Sequence, residues 1–156
     1  MLKKLIVSGL LSCILSVFTL GAANVSFMVL ETGLPAGSPA NPYSATWENA
    51  LMDVFFEMGH IVSNAPRMRL AEKPAEVFPY EAERDFDSAI EGGMDYFVIA
   101  LIDHNRPRTV SLRLFNTKSQ QMLQEQIFED RRFSTSREEH ENIKMAIESL
   151  AVFLGR

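Results

Sequence analysis

Gly93-Met94-Asp95-Tyr96-Phe97-Val98-Ile99-Ala100-Leu101-Ile102 contains the densest apolar run outside the first two dozen residues. The run proper, Tyr96–Ile102, is seven residues long. A membrane-spanning helix needs about 20. A strand covered on both faces fits better, because it reads as a continuous apolar run rather than an alternation. Gly92-Gly93 stops whatever precedes it, and Asp103-His104-Asn105 closes it. The run is read as the central strand of a small α/β core.

On its N-terminal side, Ala82, Phe86, Ala89 and Ile90 mark one face of a helix over 80–91. Residues 65–79 are broken by Pro66, Pro74 and Pro79, with Met68, Leu70, Val77 and Phe78 as apolar anchors. Further back, Trp47, Ala50, Leu51, Val54, Phe55 and Met58 recur at helical spacing. Met52 and Phe56 widen that stripe, which predicts burial on more than one side. Pro42 as a first helical residue, or Ser44 as an N-cap, starts this helix, and Gly59 ends it. Asn24–Leu30 reads as a first strand and His60–Ser63 as a short second one. The loop over 33–44 carries Gly33, Gly37 and three prolines.

On the C-terminal side, Val110, Leu112 and Leu114 alternate with Ser111, Arg113 and Phe115, which predicts a half-exposed antiparallel strand. Asn116-Thr117-Lys118-Ser119 is a hairpin turn, and 122–129 the return strand, with Leu123 and Ile127 set against Gln124 and Gln126. A last helix runs over 137–154, with Ser136 and Glu139 as a capping box and Ile143, Ala146, Ile147, Leu150, Ala151 and Leu154 as its buried stripe. The predicted order is β-α-β-α-β-β-β-α: an α/β (α+β) domain with a mixed sheet of about five strands and three helices packed on it. The first three strands are parallel where they pair.

The first 23 residues read as an export signal: Lys3 and Lys4, an apolar stretch over 5–20, and Gly21-Ala22-Ala23 as small residues before a cut after Ala23. An uncleaved anchor is the alternative. Leu10-Leu11-Ser12-Cys13 also matches a bacterial lipobox loosely, which would lipidate Cys13. The domain is thus expected over 24–156, in the periplasm or at the outer membrane. Removing residues 1–23 takes away two lysines and no acid, so the net charge moves from −5 to −7. No basic patch argues for nucleic acid. Cys13 is the single cysteine, so neither disulfides nor thiolate chemistry is available after the cut.

No catalytic, cofactor or metal motif is read. The chain has no Gly-x-Gly-x-x-Gly, no Gly-Lys-Ser/Thr, no Gly-x-Ser-x-Gly and no His-x-x-x-His. His60 and His140 read as a strand-boundary residue and a helix-edge residue. Asp103-His104-Asn105 stands at the exit of the central strand, where open α/β sheets place their crevices. Adjacent strand residues point to opposite faces, so Asp103 and His104 do not make a simple pair. The cluster also suits a turn. Arg106 and Arg108, and Arg131 and Arg132, could dock an acidic partner, with ordinary surface charge as the other reading. Glu81, Glu83, Asp85 and Asp87 read as a solvated face near a helix N-terminus.

The passage from the first helix through Gly59 into a strand, then Gly93-x-Asp95-Tyr96 with its apolar run, then the hairpin from Thr109 to Leu123, resembles the α/β domain shared by the TolB N-terminal domain, CsgG-type secretion lipoproteins and LpoB-type penicillin-binding-protein activators. The turn Asn116-Thr117-Lys118-Ser119 departs from that group's Asp-x-x-Thr-Gly. The resemblance implies a non-enzymatic envelope adaptor that binds other proteins, and it carries over no catalytic residue. Two functions follow. The first is a protein-binding module using exposed sheet edges and the hairpin Thr109–Glu129. The second is a small-ligand binder or enzyme with a site between the 33–44 loop and Asp103-His104-Asn105, joined by Arg106 and Arg108.

Overall fold

The computed structural model describes residues 21–129 and 135–154. The stretch read as an export signal, with Cys13, and also Arg131 and Arg132, lie outside the described residues, Gly21–Ala23 excepted. In chain order the elements are β1 (Asn24–Thr32), α1 (Pro42–Glu57), β2 (Ile61–Asn64), β3 (Met68–Arg69), α2 (Glu83–Glu91, entered through a 3-10 turn at Tyr80–Ala82), β4 (Tyr96–Asp103), β5 (Thr109–Asn116), β6 (Gln121–Glu129) and α3 (Ser136–Ala151). The sheet runs β2-β1-β4-β5-β6, with β3 also pairing β1. β2, β3 and β4 are parallel to β1, while β5 and β6 form the antiparallel extension. The predicted order therefore holds, with one addition. Met68–Arg69 forms a sixth strand, too short to be legible as a period of two.

β4 is the centre. Every residue from Tyr96 to Ile102 is buried. Tyr96, Val98, Ala100 and Ile102 face a core shared with α1 and α3. Phe97, Ile99 and Leu101 face a second core built from α2, Leu70 and Phe115. Phe86 of α2 reaches Phe97 edge-on at 5.4 Å, and Phe78 lies 4.9 Å from Phe86 and 5.0 Å from Phe115. The molecule thus has three layers, with α1 and α3 on one face and α2 with the irregular segment before it on the other.

Several expectations fail for local reasons. Phe56 is 73% exposed and Met58 43%, so the buried stripe of α1 widens toward Met52, which packs half-buried on the core, but not toward Phe56. Val77 is exposed and anchors nothing, unlike Phe78. β5 is not half-exposed: Ser111 and Arg113 are buried as well. Arg113 Nε donates to Glu125 at 2.8 Å, and its Nη1 donates to the Glu76 and Val77 carbonyls, so a charged residue carries the segment that roofs this face. In β6 the residues opposite Val110, Leu112 and Leu114 are Phe128, Gln126 and Gln124, so Leu123 and Ile127 are not the core face. α3 is capped by Thr135, whose hydroxyl accepts the Glu138 N–H at 3.2 Å, and not by Ser136.

The hairpin turn explains its own departure from the glycine-bearing pattern. Asn116 Oδ1 accepts the N–H groups of Lys118 and Ser119 at 3.0 and 2.9 Å, as the aspartate of that pattern would. Gln120 then stands in the glycine position with φ 56°. A side chain there is strained. Gln120→Gly is expected to stabilise the fold by about 0.5 kcal/mol, the relief of strain offset in part by the freedom glycine gains when unfolded; denaturant midpoints of the two proteins check it.

Candidate functional site

The sheet ends where the sequence places its candidate cluster. Gly33 turns the chain out of β1 with φ 78°, and a Cβ there would lie 2.8 Å from the Asn105 amide nitrogen. The 33–44 loop and Asn105 are therefore in direct contact, as the ligand-site reading requires. Two arginines hold the loop down. Arg69, paired beside Glu31 in the sheet, donates to the Ser38 carbonyl at 2.9 Å and the Pro39 carbonyl at 3.2 Å. Arg67 donates to the Asn41 carbonyl at 3.3 Å. Glu31 is only 2% exposed and neutralises both, with Arg69 at 3.4 Å and Arg67 at 3.7 Å. A buried carboxylate needs such partners.

Asp103 and His104 do point apart. Asp103 Oδ1 accepts the Asn105 N–H at 3.0 Å and its side-chain amide at 2.9 Å, a local turn, and Oδ2 lies 3.5 Å from Lys73. His104 turns to the other face, where its Nε2 meets Ser44 Oγ at 3.0 Å. Tyr43 presents its ring to His104 at 6.3 Å and lies under the Arg108 guanidinium at 3.9 Å. Arg106 is exposed on the loop beyond. Burial holds the His104 imidazole below its usual range, against the pull of the Glu31 carboxylate, with the Arg108 charge adding to the lowering. His60 is likewise lowered by burial.

The Ser44–His104 contact was not legible in the sequence, which showed Ser44 only as a candidate cap. The cap is Asn41, whose side chain accepts the Tyr43 N–H at 2.9 Å. Ser44 sits one turn into α1. A hydroxyl on an imidazole is the beginning of a nucleophile–base pair. Here, however, Ser44 is 0% exposed, so a substrate could not reach its oxygen in this conformation. The pair closes α1 onto the sheet end. Among the described residues no group of three or more His, Cys, Asp and Glu is placed to hold a metal. None of their helices is long and apolar enough to cross a membrane.

The larger cavity lies elsewhere. A groove of about 610 Å³ runs between β6, the start of α1 and α3, lined by Tyr43, Trp47, Phe128, Ile143, Met145 and Ala146 among others. Trp47 is 3% exposed and its indole Nε1 has no hydrogen-bond partner among the described residues. A buried indole N–H normally finds one. Beside the groove, β6 is the last strand of the sheet, nine residues long, with Ile127 66% and Leu123 38% exposed. His104 lines neither this groove nor a second cavity near Asp95.

No protein-family model and no curated protein matches the chain. Among solved structures, the fold is similar to the PelC dodecamer from Paraburkholderia phytofirmans, in a single-substitution variant, at a TM-score of 0.51 and 10% identity over 83% of this chain and 87% of that one. The LpoB C-terminal domain from Escherichia coli matches at 0.45 and 10% identity, over 71% of this chain and 84% of that one. Lipoprotein GNA1162 from Neisseria meningitidis matches at 0.45 and 16% identity, over 83% and 98%. LpoB, one of the group that the sequence resembles, thus stands among the solved structures similar to the chain, and the likeness is one of fold alone.

Because the His104 imidazole is held low, its neutral form contributes stability that is fully present above the unfolded pKa of about 6.5 and is lost as pH falls through that value. Unfolding midpoints are expected to drop between pH 7.5 and 5.5. His104→Gln should flatten that drop in part, the remainder belonging to His60.

Proposed function

We propose that this chain is an exported, non-enzymatic protein-binding module of the bacterial envelope, and that it binds an extended segment of a partner along the edge of β6 that no described strand pairs. The observation that carries this reading is the nine-residue β6 edge lying beside the Trp47 groove. An edge strand offers a row of N–H and C=O groups, and natural proteins blunt such edges with lysine, proline or a covering element. β6 reads Gln-Met-Leu-Gln-Glu-Gln-Ile-Phe-Glu and has neither lysine nor proline. A partner strand would take its affinity from the main chain and its specificity from side chains entering the groove. The exposed Glu129 at the end of the strand, and the net charge of −7 expected after export, favour a basic segment. The likeness to envelope domains fits this reading, and the burial of Ser44 counts against hydrolytic chemistry at His104.

A photo-reactive residue placed at Ile127, in cells exporting the protein, is expected to give a discrete covalent adduct with another envelope protein. The same residue at Ile61, at the opposite edge of the sheet and 62% exposed, is expected to give none. Ile127→Lys should abolish binding of the captured partner by the purified protein without changing its unfolding midpoint. Adducts from position 61 alone, or from a probe at Asn105 alone, would reverse the assignment of the surface.

A further inference from the structure

Asp95, from the Gly93-x-Asp95-Tyr96 motif, has no part in the docking edge. Its Oδ2 accepts the backbone N–H of Asn24 at 3.0 Å, and its Oδ1 lies 3.3 Å from Lys118 Nζ. Its main chain donates to the Asn24 carbonyl at 2.8 Å and accepts from the Thr117 N–H at 3.1 Å. One residue thus ties together the starts of β1 and β4 and the β5–β6 turn. A cavity of about 250 Å³ opens beside it, lined by Gly21, Ala22, Ala23, Tyr96, Asn116 and Lys118. Asn24 is also the residue that follows the small-residue exit of the export signal.

We propose that cleavage after Ala23 converts the Asn24 amide into an ammonium group that stays on the Asp95 carboxylate, so that processing itself creates the ion pair that anchors the mature N-terminus. Water, delivered by a signal peptidase, adds across the Ala23–Asn24 amide. Ala23 leaves with the new carboxylate and Asn24 keeps the nitrogen as an amine. A free α-amino group has a pKa of about 7.7–8.0, and an adjacent carboxylate favours its charged form. The acceptor is prepared for it: the Asn24 N–H is the chief cause holding the Asp95 carboxyl below its usual range, and Lys118 adds to it.

The cut also changes what holds β1. In the uncleaved chain Ala23 is buried, its N–H donates to His60 Nδ1 at 3.2 Å and its carbonyl accepts the Ile61 N–H at 3.0 Å. Those bonds pin the start of β1 to β2 and put the scissile bond at the entry of the strand pair. With Ala23 gone, the anchor of the strand's start moves from His60 and Ile61 to Asp95, the residue before β4. The charge on the new terminus compensates for the two bonds that leave with Ala23.

The intact mass of the exported protein is expected to correspond to a chain beginning at Asn24. Asp95→Asn is then expected to raise the unfolding equilibrium constant about tenfold in that chain, the scale of a hydrogen bond to a charged group. In a chain retaining Gly21-Ala22-Ala23, where the carboxylate accepts an uncharged N–H, the same substitution should raise it several-fold less. Should Asp95→Asn fail to fold in either form, acetylation of the Asn24 amine reads the same pair, with a loss of several-fold expected. Equal effects in the two chains, no loss on acetylation, or a mature terminus elsewhere, including a lipidated Cys13, would each overturn the proposal.

Discussion

Covering Tyr96–Ile102 from both sides is the requirement that the rest of the molecule meets. The residues alternate between two cores, one built with α1 and α3 and the other with α2 and the aromatic set Phe78, Phe86 and Phe115. Parallel pairing with β1 and antiparallel pairing with β5 complete its backbone hydrogen bonds on each edge. Burying a large apolar side chain is worth about 1.5–3 kcal/mol. No other strand concentrates so many fully buried large side chains on both faces, so β4 sets where the helices must lie and which edges remain open.

That requirement was legible because it is written as composition. A seven-residue apolar run between glycines and a polar turn has few other solutions, and the helical stripes of α1 and α3 have one each. What escaped notice were features fixed by distant contacts. Arg113 lies on the polar side of an alternation, yet its guanidinium finds Glu125 and two loop carbonyls and is buried. Phe56 looks like core by spacing, but among the described residues no element covers that side of α1, and it is exposed. Two residues of β3 carry no period at all.

The candidate cluster divides in the same way. Its position at the end of β4, its contact with the 33–44 loop and the opposed directions of Asp103 and His104 follow from strand geometry, and all three are found. The consequence of that position does not follow. Glu31, Arg67 and Arg69 turn the loop into a clamped roof, and Ser44 fills the place where a ligand would approach His104. The groove around Trp47 was invisible in sequence because it is formed by three elements far apart in the chain. Its one advance signal was the tryptophan itself, large, apolar and carrying a donor that needs an acceptor.

Both faces of β4 are consumed by packing, β2 and β3 are short, and among the described residues β6 is left as the long open edge. Amide hydrogen exchange of the isolated protein tests this most directly. The amides of β1 and β4 are expected to exchange only through global unfolding, while alternate amides of β6, those turned away from β5, exchange faster than any others in the long strands. Protection of all β6 amides to the level of β4 would contradict it, because that edge would then already be covered.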